Sequence, residues 1–186
     1  MSGSQRRLSL LANHLSSSRG MATNAAASTA TTASTNKQPS KETFRNRQDY
    51  KYYLPIQTRF SDCDMYAHIN NSIYYHYFDT IINEYLIKKC GLDTSSDNKT
   101  KPIGLVVASQ ANFYASASYP NMIHAGLSIS KIGKSSVTYR VGIFEQENPL
   151  ACVVGGFTHV FVDPITRRPV KQLPKEFLEG FKELLV

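Results

Sequence analysis

The stretch TRFSDCDMYAHINNSIYYHYFDTIINEYL, residues 58–86, sets a polar loop directly against a long amphipathic pattern. From Asn71 the apolar residues come in pairs, Ile73/Tyr74, Tyr77/Phe78, Ile81/Ile82 and Tyr85/Leu86, with Asp79, Asn83, Glu84, Lys88 and Lys89 on the other side. A strand returns to one face every second residue and a helix every three or four, so this spacing predicts a helix of roughly twenty residues with a broad buried stripe. Asn70 or Asn71 can cap its start, Lys88 and Lys89 suit the negative end of its dipole, and Gly91 is placed to end it.

Outward from that helix, nearly everything has strand character. Tyr53 to Phe60, with Pro55 near its start, reads as a first strand near a sheet edge. After a polar loop from Asp93 to Pro102 come Ile103 to Phe113, Met122 to Ile132, Val137 to Phe144 and Ala151 to Val162, where Gly155 and Gly156 suggest a bulge or tight bend. Pro120 and Asn121, Gly133 and Lys134, and Asn148 and Pro149 mark the turns. Pro174 to Leu185 closes the chain as a short helix with Phe177, Phe181 and Leu184 on one face. Consecutive strands without intervening helices imply an antiparallel sheet, and one long helix can cover only one of its faces. The expected class is α+β, with self-association covering apolar residues left on the other face.

The 186 residues carry 21 Lys and Arg against 14 Asp and Glu, a net charge of +7 that would suit a nucleic-acid partner. Its location excludes that reading. Arg6, Arg7, Arg19, Lys37 and Lys41 precede the first acid, Glu42, which leaves 16 basic against 14 acidic residues in the rest of the chain. Leu8, Leu11 and Leu15 share a helical face among Arg and Ser, the composition of a mitochondrial transit peptide, while Met21 offers a second start that would give a cytoplasmic form. Ala22 to Asn36 consists of Ala, Thr, Asn and Ser only and reads as a disordered linker. The expected organisation is a targeting segment and linker over residues 1–41, further linker over 42–49, and a folded domain over 50–186. Cys63, Cys90 and Cys152 form no disulfide framework, and no apolar run approaches the roughly 20 residues of a membrane span.

Asp62, Cys63, Asp64, His68, Asn70 and Asn71 crowd the loop before the helix, where backbone N–H groups are unpaired and the dipole favours negative charge. Such a place can hold an oxyanion, and a carboxylate beside it can activate water or attack a carbonyl itself. Asp64 can equally be a helix-capping carboxylate, Asp62 a loop-holding one, and His68 a water-orienting or packing residue. A metal site from Asp62, Cys63, Asp64 and His68 lacks a zinc-type spacing. Flanking carboxylates disfavour the thiolate a Cys63 nucleophile would need.

The loop and helix resemble the hot-dog-fold acyl-CoA thioesterases of the hydroxybenzoyl-CoA type, whose pattern D-x-D-x-x-x-H-x-N-N-x-x-Y appears here as Asp62, Asp64, His68, Asn70, Asn71 and Tyr74. The resemblance extends more weakly over GKSSVTYR (Gly133 to Arg140) and VFVDPITRRPV (Val160 to Val170). It implies a five-stranded antiparallel sheet wrapped around one long central helix, and hydrolysis of acyl-CoA with no cofactor and no metal. Asp64 would be base or nucleophile, assisted by His68, and the backbone around Asn70, Asn71 and Ser72 would receive the thioester oxygen. Lys134, Ser135 and Ser136 would meet CoA phosphates, and a homodimer or homotetramer would build each site from two subunits. The competing reading is a non-catalytic hot-dog subunit that binds acyl thioesters within a larger assembly.

Overall fold

The computed structural model describes residues 44–186; the targeting segment and the linker expected over residues 1–41, with residues 42 and 43, lie outside the described residues. The elements are β1 (Tyr52–Gln57), α1 (Asn71–Cys90), β2 (Ile103–Phe113), β3 (Met122–Ile132), β4 (Ser136–Glu145), β5 (Val153–Val162) and α2 (Lys175–Leu184). The strands form one antiparallel sheet in the order β1-β3-β4-β5-β2, so β1 and β2 are its edges.

Helix α1 forms where its stripe demands. Asn70 accepts the Ser72 N–H at 3.0 Å, and Gly91 closes the other end with φ 66°, a left-handed conformation that glycine adopts without steric cost. Tyr74, Tyr77, Phe78, Ile81, Ile82, Tyr85 and Leu86 are buried against the sheet, opposite Leu127 and Ile129 of β3, Val141 and Ile143 of β4, and Phe157 of β5. Helix α2 docks Phe177, Phe181 and Leu184 on the same side, where the Tyr85 hydroxyl donates to the Gly180 carbonyl at 2.7 Å.

Gly155 and Gly156 do something other than bulge their strand. A Cβ at Gly155 would press on the Phe78 ring at 2.7 Å, and one at Gly156 on the Tyr139 carbonyl. Helix and strand therefore approach closely while β5 stays continuous, and the register shift falls across the ladder in β2, between Val106 and Ala108. Along this strip His159 is buried between Tyr139 and Phe161, and among the described residues neither ring nitrogen nor the Tyr139 hydroxyl has a hydrogen-bond partner. Burial pushes the imidazole down to about 4, against a smaller opposing pull from Asp79.

The two faces of the sheet differ. Opposite α1, residues 44–50 lie across the outer face as a strap: Ala151 donates to the Arg45 carbonyl at 2.8 Å, and Arg47 donates to the carbonyls of Gln146 and Asn148. Tyr50 packs on Phe144, Ala151 and Val154, in space left by the missing side chains of Gly126 and Gly142. The strap covers part of the apolar surface that the sequence leaves over. Among the described residues nothing covers strand β2: Leu105, Val106, Val107 and Phe113 are 39%, 49%, 59% and 43% exposed.

Candidate active site

The loop from Arg59 to Asn70 is folded back on itself. Cys63 and Ile69 form an isolated antiparallel bridge, the Asp64 N–H donates to the His68 carbonyl at 2.8 Å, and Ala67 turns the tip with φ 61°. Asp62 holds the base of this hairpin. The residue is 2% exposed, and its carboxylate accepts the Arg59 N–H and the Tyr77 hydroxyl, both at 2.9 Å, with Arg59 Nε 3.3 Å away. Its carbonyl accepts the Asn70 N–H at 2.9 Å. Burial and the carboxylate raise the Tyr77 phenol, which stays protonated as the donor.

Asp64, two residues on, sits differently. Its Oδ1 accepts the N–H groups of Tyr66 at 2.8 Å and His68 at 3.3 Å, an Asx turn that fixes the carboxylate plane. No hydrogen bond falls on Oδ2 among the described residues. One oxygen is thus anchored, and Asp64 lines a pocket of about 290 Å³ together with His68, Asn71, Tyr74, Tyr114 and Ser116, among others. The far wall is tied to the loop through Ala117, whose carbonyl accepts the Ile69 N–H at 2.8 Å and whose N–H donates to the Tyr74 hydroxyl at 3.1 Å.

The structure brings Asp64, His68 and Asn71 together and narrows the oxyanion region. The Asn70 N–H is spent on Asp62, and the Ser72 N–H and hydroxyl are both spent on the Asn70 side chain, at 3.0 and 2.8 Å. Asn71, at the first helical position, keeps an N–H outside the helical ladder. Lys134, Ser135 and Ser136 lie apart. Ser136 pairs with Val160, which pairs with Leu105, so this turn is about 26 Å along the strands from the Phe113 end where Asp64 lies. The pocket wall from Phe113 to Ser116 carries no motif, and only its contacts reveal it. Among the described residues no group of three His, Cys, Asp or Glu side chains converges as a metal site would require, and no helix is long and apolar enough to cross a membrane.

The thioesterase superfamily model matches residues 66–152, from the loop through α1 to the turn before β5. The PA5185 protein from Pseudomonas aeruginosa is similar in structure and sequence, with 39% identity over 76% of this chain and 96% of its own, and a TM-score of 0.72. The chain belongs to the thioesterase superfamily. This thioesterase also shares its fold with a thioesterase complexed with coenzyme A and Zn from Thermus thermophilus, at 18% identity, 74% and 96% coverage and TM-score 0.59. A DHNA-CoA thioesterase from Staphylococcus aureus aligns at 21% identity, 70% and 86% coverage and TM-score 0.59. No curated protein sequence matches it. The hot-dog fold is thus both the expected and the observed architecture, and the thioesterase's class of reaction is thioester hydrolysis.

Proposed function

We propose that the chain hydrolyses acyl-CoA thioesters with Asp64 as the catalytic carboxylate. The observation that carries this is the asymmetry of its two oxygens: Oδ1 is anchored by two loop N–H groups and Oδ2 is left for chemistry. Acting as base, Oδ2 takes a proton from water as the water oxygen bonds to the thioester carbon. The carbonyl oxygen becomes an oxyanion against the Asn71 N–H and the positive end of α1. Collapse breaks the C–S bond, the thiolate leaves and is protonated, and a carboxylic acid and free CoA result. Acting as nucleophile, the same oxygen bonds to the carbon first, expels the thiolate and leaves an anhydride for water to open. A non-catalytic binding module would have no use for a carboxylate held half free.

The site belongs, on this proposal, to a homodimer joined along β2. That strand is eleven residues long and exposed at the sheet edge, with no proline or charge to deter pairing. A two-fold axis near Ala108 would set Ile103 of one copy beside Phe113 of the other. Lys134 to Ser136, remote within one chain, would then approach the Asp64 pocket of the partner.

The deciding experiment follows thiol release from a panel of acyl-CoAs. Asp64→Ala and Asp64→Asn should lower kcat by about a hundredfold or more while circular dichroism shows the fold intact. Undiminished turnover in either variant overturns the assignment.

A further inference from the structure

The outer face of an antiparallel sheet is ordinarily open to water; here it carries a groove of about 630 Å³ walled by Phe44 of the strap and Tyr114 beyond β2. Thr138 and Gly155 line its floor and Gln110 and Asn112 its β2 side. Its charge leans positive, with Asp49 near enough to act on Arg140 but not to form an ion pair with it. The Arg140 guanidinium lies 3.3 Å from the Phe44 ring centroid and that of Arg45 lies 4.4 Å from the Tyr114 centroid, while Arg45 Nε donates to the Ala151 carbonyl at 3.2 Å. Neither arginine forms an ion pair with a carboxylate among the described residues. Burial pulls Arg140 below its ordinary value, the mark of a cation partly stripped of water. Phe44 is held under that cation with φ 73°, a costly conformation for a bulky residue, and the Tyr50 hydroxyl donates to its carbonyl at 2.6 Å.

A half-desolvated guanidinium without an ion-pair partner favours an anion, two aromatic rings favour a flat ring, and side-chain amides and a hydroxyl suit its polar edge. The volume falls in the range of small-molecule pockets. The groove also adjoins the reaction site, since Phe113 and Tyr114 line both it and the Asp64 pocket. We propose that this groove receives the nucleotide end of the thioester's carrier, with Arg140 against its phosphates and Phe44 and Tyr114 against its base. The proposal rests on the acyl-CoA reading above and assigns to the strap a direct part in substrate binding. A body with almost no net charge would then attract a polyanion through this groove, not through a long-range field.

The test compares one acyl group carried on CoA and on pantetheine, which has the same thiol but no nucleotide. In the wild-type protein kcat/KM should favour the CoA thioester. Arg140→Ala and Phe44→Ala should reduce that preference by about tenfold or more, mostly through KM, and Arg140→Lys should restore part of it. Titration calorimetry with ADP should show binding to the wild type that weakens by a similar factor in Arg140→Ala. An unchanged preference, or its loss in Lys134→Ala but not in Arg140→Ala, overturns the assignment. If neither thioester is cleaved, the acyl-CoA reading fails. ADP binding that depends on Arg140 then still supports a nucleotide groove, and ADP binding indifferent to Arg140 removes it.

Discussion

β1 and β2 close the same sheet on opposite sides, but β1 is six residues long with Pro55 in its middle, and β2 runs eleven residues without a proline. β1 pairs with β3 over its whole length, and Tyr53 is tied down through its hydroxyl to the Arg47 carbonyl at 2.6 Å. The loop it feeds is finished within one chain by Asp62. On the β2 side, apolar side chains stand exposed and the Lys134 to Ser136 turn, which the family resemblance would set against CoA, lies far from the carboxylate. On the dimer proposed above, the bare edge is where a second copy would complete the site that the finished edge begins.

Three measurements would break or sharpen that contrast. The largest effect belongs to the bare edge. Val107→Lys should shift the protein from dimer to monomer in light scattering and lower kcat/KM by about a hundredfold, whereas Tyr53→Lys on the other edge should leave the mass unchanged. Equal behaviour of the two variants would erase the distinction. Next comes His159, which packs under the β2 side opposite Val106. Its folded-state value of about 4, below its ordinary 6.5, means that the unfolded chain binds the proton first. Stability is therefore full above pH 6.5 and falls by up to about 3 kcal/mol as the pH drops toward 4. Chemical denaturation across that range should show the loss in the wild type and a flatter profile in His159→Gln. The smallest effect concerns the finished edge. Asp62→Asn should cost about 2 kcal/mol, seen as a lower Tm, because Tyr77 and the Arg59 N–H lose a charged acceptor. The same change at Asp64, bonded only through Oδ1, should shift Tm by less.

Helix α1 was readable from sequence because every signal for it is local: paired apolar residues, an asparagine before them and a glycine after. The Asp64 loop was readable for the same reason. Its capping detail was not, since whether the N–H of Asn70, Asn71 or Ser72 stays free depends on where the Asp62 carbonyl and the Asn70 side chain point. β2 was legible as a strand yet not as an exposed one, because an unbroken apolar run is also how a strand buried on both faces reads. The strap could not be foreseen from its composition. Arg45 and Arg47 find their partners at Ala151, Gln146 and Asn148, about a hundred residues away, and nothing in a local window encodes contacts of that range. Gly155 and Gly156 advertised a special backbone, but only packing shows that they admit Phe78 and the Tyr139 carbonyl.

The strap also sets a limit on how the chain can be handled. Tyr50 fills the space over Gly126 and Gly142, and the Arg45 backbone meets Ala151, so a protease or an expression design that trims from the leading end can stop anywhere before Phe44 without touching these contacts. Trimmed past Tyr50, the sheet would be left with an uncovered trough over two glycines, and an affinity tag joined at that point would have to thread through it.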